Sequence, residues 1–221
     1  MAPLHTASLS LLFVITATSS VVAQTLNYTS STRYHRYEEI VFTDPLNNEF
    51  DTFGYHHSGS NTYDLFDSSD SILSGASSQT SSFQSHGGSA VTEATFTGDF
   101  STTVTKQAAS YFSTHFESPS IQDLVINLEN QDISPGGFFT SFQFYENNTL
   151  IYNHFIAEGA TENETIVHTL NPGDSYRLVV STSLNGNWGG AKANVTWAVP
   201  EPSSALLSFL GLGFLTRRNR K

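Results

Sequence analysis

Tyr176-Arg177-Leu178-Val179-Val180-Ser181, a break at Asn185-Gly186-Asn187 and Gly189-Gly190, and then Ala191 to Trp197 (AKANVTW) decide the fold class. Both runs have a period near two, are rich in β-branched and aromatic residues, and are bounded by turn formers, the signature of half-buried strands. Working outward, Ser141 to Tyr145 (SFQFY), Gln122 to Leu128 (QDLVINL) and Ala94 to Phe100 (ATFTGDF) repeat the pattern. Ser134-Pro135-Gly136-Gly137, Glu146-Asn147-Asn148-Thr149 and Asn171-Pro172-Gly173-Asp174 supply turns between them. Only Lys106 to Phe112 is ambiguous, and no long amphipathic helix occurs between residues 24 and 198. The spacing predicts about eight to eleven strands in an all-β, antiparallel β-sandwich or jelly-roll-like domain. The last unit, NPGDSYRLVVS followed by GGAKANVTW, reads as a closing hairpin.

Composition removes several function classes. The 221 residues include no cysteine and a single methionine, Met1, which excludes disulfides, a cysteine nucleophile and thiolate metal sites. Nine basic residues against 20 acidic ones argue against nucleic acid as a partner. Aromatic residues make up 13% of the chain, enough to fill a core. Ser and Thr are about a quarter of it, concentrated between Ser58 and Ser89, a stretch that reads as hairpins with long loops or as a partly mobile insertion.

The two ends carry the most specific signals. Ala7 to Ala17 (ASLSLLFVITA) has signal-peptide length, and Val21-Val22-Ala23 offers a cleavage site that leaves Gln24 as the mature start. The signal peptide therefore spans 1–23, and signal peptidase is the expected partner there. At the other end, Val199-Pro200-Glu201-Pro202-Ser203-Ser204 precedes ALLSFLGLGFLT and then Arg217-Arg218-Asn219-Arg220-Lys221. Pro200 and Pro202 keep the motif extended. Val199 to Thr216 would make a helix of about 27 Å, barely the thickness of a hydrocarbon core. The basic cluster Arg217, Arg218, Arg220 and Lys221 would hold the tail on the cytoplasmic side.

In motif, hydrophobic segment and basic tail, residues 199–221 resemble the PEP-CTERM sorting signal of bacterial envelope and exopolysaccharide-associated proteins. The resemblance implies recognition of Pro200, Glu201 and Pro202 by an exosortase-like membrane protease. It implies transient anchoring in the inner membrane, then release to the cell envelope or medium. It concerns a sorting tag and does not extend to residues 24–198, the extracytoplasmic domain.

Within that domain the candidates for chemistry are sparse. Between the two predicted cleavage points five basic residues face 20 acidic ones, a net charge of −15 that suits solubility and repels polyanions. His56-His57 would point to opposite faces of a strand. His35, His86, His115, His154 and His168 show no zinc-ligand spacing, so no metal site is expected. Asp64, Asp67 and Asp70 form an acidic serine-rich loop that could meet Ca²⁺ but lacks an EF-hand core. Glu38-Glu39 is not a hydrolytic pair, because neighbours in a strand diverge, and the G-x-S-x-G and phosphate-loop motifs are absent. Asn27, Asn147, Asn163 and Asn194 begin N-x-T sequons, read beside a bacterial tag as products of a threonine-rich composition. Trp188 and Trp197 with Tyr176 would make either core anchors or a sugar-stacking platform.

The sequence therefore predicts a non-catalytic envelope or matrix protein without cofactor, with extracellular polysaccharide as a candidate partner. A carbohydrate-binding module and, behind it, a secreted hydrolase are the alternatives.

Overall fold

Period-two alternation builds the whole structure. A computed structural model describes residues 24–44, 49–60, 66–72, 75–96, 104–132, 138–155, 160–186 and 189–200; the expected signal peptide and the expected C-terminal helix beyond Pro200 lie outside them. Twelve strands account for nearly all of these residues: β1 Asn27–Asp44, β2 Glu49–Ser60, β3 Phe66–Ile72, β4 Gly75–Gln84, β5 Gly87–Phe96 and β6 Val104–Glu117. They continue as β7 Gln122–Asp132, β8 Phe138–Glu146, β9 Thr149–Phe155, β10 Thr161–Leu170, β11 Ser175–Gly186 and β12 Gly189–Ala198. The ambiguous stretch from Lys106 to Phe112 belongs to β6.

Two six-stranded antiparallel sheets face each other, in the orders β2-β1-β6-β11-β8-β9 and β10-β7-β12-β5-β4-β3. Strands β5 to β12 give one half-sheet β5-β12-β7-β10 and the opposing half-sheet β6-β11-β8-β9. That is the order of an eight-stranded jelly roll. The first four strands widen it: β1 and β2 extend the second half-sheet beyond β6, and β3 and β4 extend the first beyond β5.

The expected closing hairpin is corrected. β11 pairs with β6 and β8, whereas β12 pairs with β5 and β7 in the other sheet. Each run is apolar on its inner face. Placing them in opposite sheets sets Leu178 and Val180 on one side of the core and Val195 and Trp197 on the other. A hairpin would have put both apolar faces on the same layer.

Where it is described beyond residue 65, the serine-rich stretch 58–89 is strand and turn, with β4 paired to β3 and β5 along its length. Its inward residues Ser77, Gln79 and Ser81 are buried, so small polar side chains serve here as interior residues. This is why the strand count exceeds the expected eleven: strands whose inner face is hydroxylic carry no apolar alternation to read.

Among the described residues the interior has two apolar clusters. The larger fills the jelly roll with Phe112, Phe116, Phe142, Phe144, Tyr176 and Trp197 among others. The smaller gathers Tyr37, Phe96 and Leu184 with three alanines. Between β1 and β4 the interior is polar, with Arg33, His35, Gln79 and Ser81 all at or below 1% exposure.

Both ends of the fold are fastened to one turn. The amide of Leu26 donates to the Ser85 carbonyl at 2.7 Å, and that of Val199 donates to the His86 carbonyl at 2.8 Å. The next position must be glycine, since a Cβ on Gly87 would lie 2.1 Å from the Trp197 carbonyl oxygen. At the β8–β9 turn Asn147 and Asn148 have φ of 48° and 62°. This left-handed pair matches the twist of a two-residue hairpin, and asparagine tolerates it.

Candidate functional site: a polar sheet face and a carboxylate–histidine edge

Strand alternation places Asn163 and Thr165 of β10, Asn127 and Glu129 of β7, and Asn194 and Thr196 of β12 on the outer face of one sheet. The registers align them in two rows, Thr165–Asn127–Thr196 and Asn163–Glu129–Asn194. The rows are tied laterally. The Thr165 hydroxyl donates to Asn127 Oδ1 at 2.9 Å, Asn127 Nδ2 donates to Thr196 at 3.5 Å, and Asn194 Nδ2 donates to Glu129 at 3.3 Å. A groove of about 430 Å³ lies over them. A second depression on the same sheet, of about 400 Å³, is lined by Ser69, Ser71, Ser78, Glu93 and Thr95, among others. Glu93, paired with Lys192 of β12 at 3.5 Å, joins the two regions.

A second cluster closes one open edge of the sandwich, where β9 and β10 meet across the gap between sheets. His154 Nε2 lies 2.8 Å from Glu162 and its Nδ1 3.3 Å from Glu164. The Tyr152 hydroxyl donates to Glu164, and Tyr176 donates to Glu146 at 3.1 Å. His168 stands 3.8 Å from Glu146. Burial first, then Glu164, holds the Tyr152 phenol well above its ordinary range. Burial likewise raises Tyr176, with Glu146 adding to it. Glu162 and Glu164 project from the same side of one strand onto a shared histidine, so they do not flank a substrate as hydrolytic carboxylates must. Inward-pointing charge on edge strands blocks sheet-to-sheet pairing. Among the described residues no three His, Asp or Glu side chains are grouped to hold a metal ion.

The sequence candidates distribute as follows. Trp197 and Tyr176 are each 1% exposed and belong to the core, so they offer no stacking platform, and Trp188 lies outside the described residues. Asp67 is exposed on β3 and accepts from Thr80 at 2.9 Å. The acidic loop is corrected to a strand at this point, with positions 67 and 70 on opposite faces. Asp64 and the side chain of Asp70 lie outside the described residues, as do the side chains of His56 and His57. Glu39 is buried and accepts from Tyr37 at 2.6 Å, while Glu38 points outward from β1, half-buried. His35 meets Ser68 through Nε2 at 2.7 Å and Ser77 through Nδ1 at 3.1 Å. That contact resembles a nucleophile and its base, but the imidazole has 0% exposure and is closed off from any substrate. Gln24 and Pro200 are described, whereas Ala23, Glu201, Pro202, Arg217, Arg218, Arg220 and Lys221 lie outside.

His115 carries a pH dependence. Its pKa is lowered from 6.5, first by burial and then by the charge of Arg177, its cross-strand neighbour. The unfolded chain therefore binds a proton at higher pH than the folded one, and stability falls as pH drops through 6.5. Replacing His115 by Asn should flatten the stability profile between pH 7 and 5, as read by thermal melts. An unchanged slope in that variant would assign the dependence to other groups.

Sequence reading passed over Asn127 and Glu129. The signal was present in the N-x-T spacing of Asn163 and Asn194, which in a strand puts Asn and Thr on one face. That β7 lies between these two strands was not in it.

The chain matches no model of a known protein family and no curated protein.

Proposed function

We propose that this chain is a non-catalytic envelope or extracellular-matrix protein, exported by its N-terminal signal peptide and sorted by a PEP-CTERM signal. The observation that carries the reading is the tail, where Pro-Glu-Pro, an apolar segment and a basic cluster follow one another. Val199 is 1% exposed and latched to His86, so the motif starts at the next residue without a linker. Signal peptidase would release Gln24, two residues before the buried Leu26. An exosortase-like membrane protease would act at Pro200, Glu201 and Pro202 while the C-terminal helix sits in the inner membrane. The jelly roll would then reach the cell envelope or medium with its interior filled by its own side chains.

Replacing Pro200, Glu201 and Pro202 together by Ala is expected to leave insertion intact and to abolish cleavage, because the extended handle is lost and alanine continues a helix. Membrane fractionation with a mass measurement of each form reads both outcomes. Wild-type cleavage of the triple variant would reduce the tail to a plain anchor.

A further inference from the structure

We propose that the outer face of β10, β7 and β12 binds a neutral, polyhydroxylated polysaccharide chain. The proposal goes beyond sorting and does not depend on it. The rows Thr165–Asn127–Thr196 and Asn163–Glu129–Asn194 present hydroxyl, amide and carboxylate groups together, hence donors and acceptors side by side. A sugar hydroxyl both donates and accepts, so such a surface meets it in either role. The lateral hydrogen bonds through Asn127 and Glu129 hold these side chains in place before a ligand arrives, which lowers the ordering cost of binding.

Shape and charge narrow the ligand. Beside them a third polar row, Gln131–Lys192–Glu93–Ser78–Ser69, crosses from β7 to the opposite edge of the sheet. Six strands at about 4.8 Å spacing span roughly 24 Å, the reach of an extended polymer rather than of a single sugar. Among the six residues of the two rows Glu129 is the one charged group, and the domain around them, residues 24–198, has five basic residues against 19 acidic ones. A polyanion would be repelled from such a surface. Recognition at these two rows would run through hydrogen bonds, since Trp197 and Tyr176 are enclosed in the core.

Affinity electrophoresis of the full chain in mild detergent tests this, with mobility read relative to a glycan-free gel. The neutral probes are dextran, laminarin and hydroxyethylcellulose, and alginate is the polyanion. At least one neutral glycan should retard the wild-type chain. The double variant Asn127→Ala with Glu129→Ala should weaken that retardation about tenfold, as expected for losing two or three hydrogen bonds. Asn163→Ala with Thr165→Ala, on the edge strand, is the second variant should the first unfold, and thermal melts establish folding for both. Retardation by alginate only, equal retardation of a folded variant, or no retardation by any neutral probe would each overturn the proposal. Because the tail's processing is not read in this assay, none of these results bears on sorting.

Discussion

Replacing Trp197 by alanine is expected to destabilise the domain by about 3–5 kcal/mol, the cost of deleting a large ring from a packed core. The indole lies at the centre of the larger apolar cluster, 5.4 Å from the Phe112 ring and 6.1 Å from the Phe83 ring. Its Nε1 donates to the Tyr28 hydroxyl at 2.9 Å, and that hydroxyl donates to the Gly87 carbonyl at 2.7 Å. The ring thus connects β12, β1 and the turn that fastens both ends of the fold. Alanine leaves a void and removes a hydrogen-bond donor from a largely buried phenol. Trp197→Phe should recover part of the loss, because it restores packing without the donor. Urea unfolding followed by the strand band of circular dichroism decides the matter without relying on tryptophan fluorescence. A midpoint unchanged in the alanine variant would show that the cluster is not the stabilising centre.

The second large effect is expected at Arg33, where alanine should cost about 3 kcal/mol, in the range for truncating a large, packed, buried side chain. The side chain is 1% exposed in the polar interior between β1 and β4. Its guanidinium lies 4.9 Å from the Phe66 ring centroid and 5.8 Å from that of Phe83, and Nη1 donates to Ser81 at 3.4 Å. A planar, weakly hydrated cation suits two aromatic rings and a hydroxyl, whereas a compact ammonium is harder to strip of water. Arg33→Lys should therefore recover little of the stability lost in Arg33→Ala. The same urea titration reads it, and a lysine variant as stable as wild type would show that charge alone is needed there. The smaller cluster around Tyr37 and Phe96 should loosen with Arg33, because β1 carries both Arg33 and Tyr37.

Several features were readable from local sequence. The alternation of Ser141 to Tyr145 and of Tyr176 to Ser181 set the strand class, and β8 and β11 occupy those positions. Asn147-Asn148 marked a hairpin, and both residues adopt the left-handed conformation that such a turn requires. Glu38 and Glu39 diverge as neighbours in a strand must. These are properties of a few consecutive residues, and elementary sterics decides them.

The limits of local reading lie in the same strands. QDLVINL was legible as β7, yet nothing in it announces Asn127 and Glu129 as the middle of a polar surface. Those two outward residues gain their setting only from β10 and β12, which lie 38 and 69 positions further on at the hydrogen-bonded pairs. The serine-rich stretch 58–89 left hairpins and a partly mobile insertion both open, because its hydroxyls suit water as well as a buried strand. What admits them to the interior is the company of Arg33 and His35 from β1, with which Ser81 and Ser77 share hydrogen bonds.

By itself, then, the sequence determined that the domain is built of strands, where several of them turn, and which side chains of each strand share a face. Tertiary structure alone decided that β11 and β12 separate into opposite sheets, that four early strands widen a jelly roll, and that two asparagine-threonine pairs meet across β7. The reason is physical. Alternation is a contest between neighbouring residues and water, settled within a strand. The choice of pairing partner is a contest between whole faces, settled only when every strand of both sheets is present to cover the others.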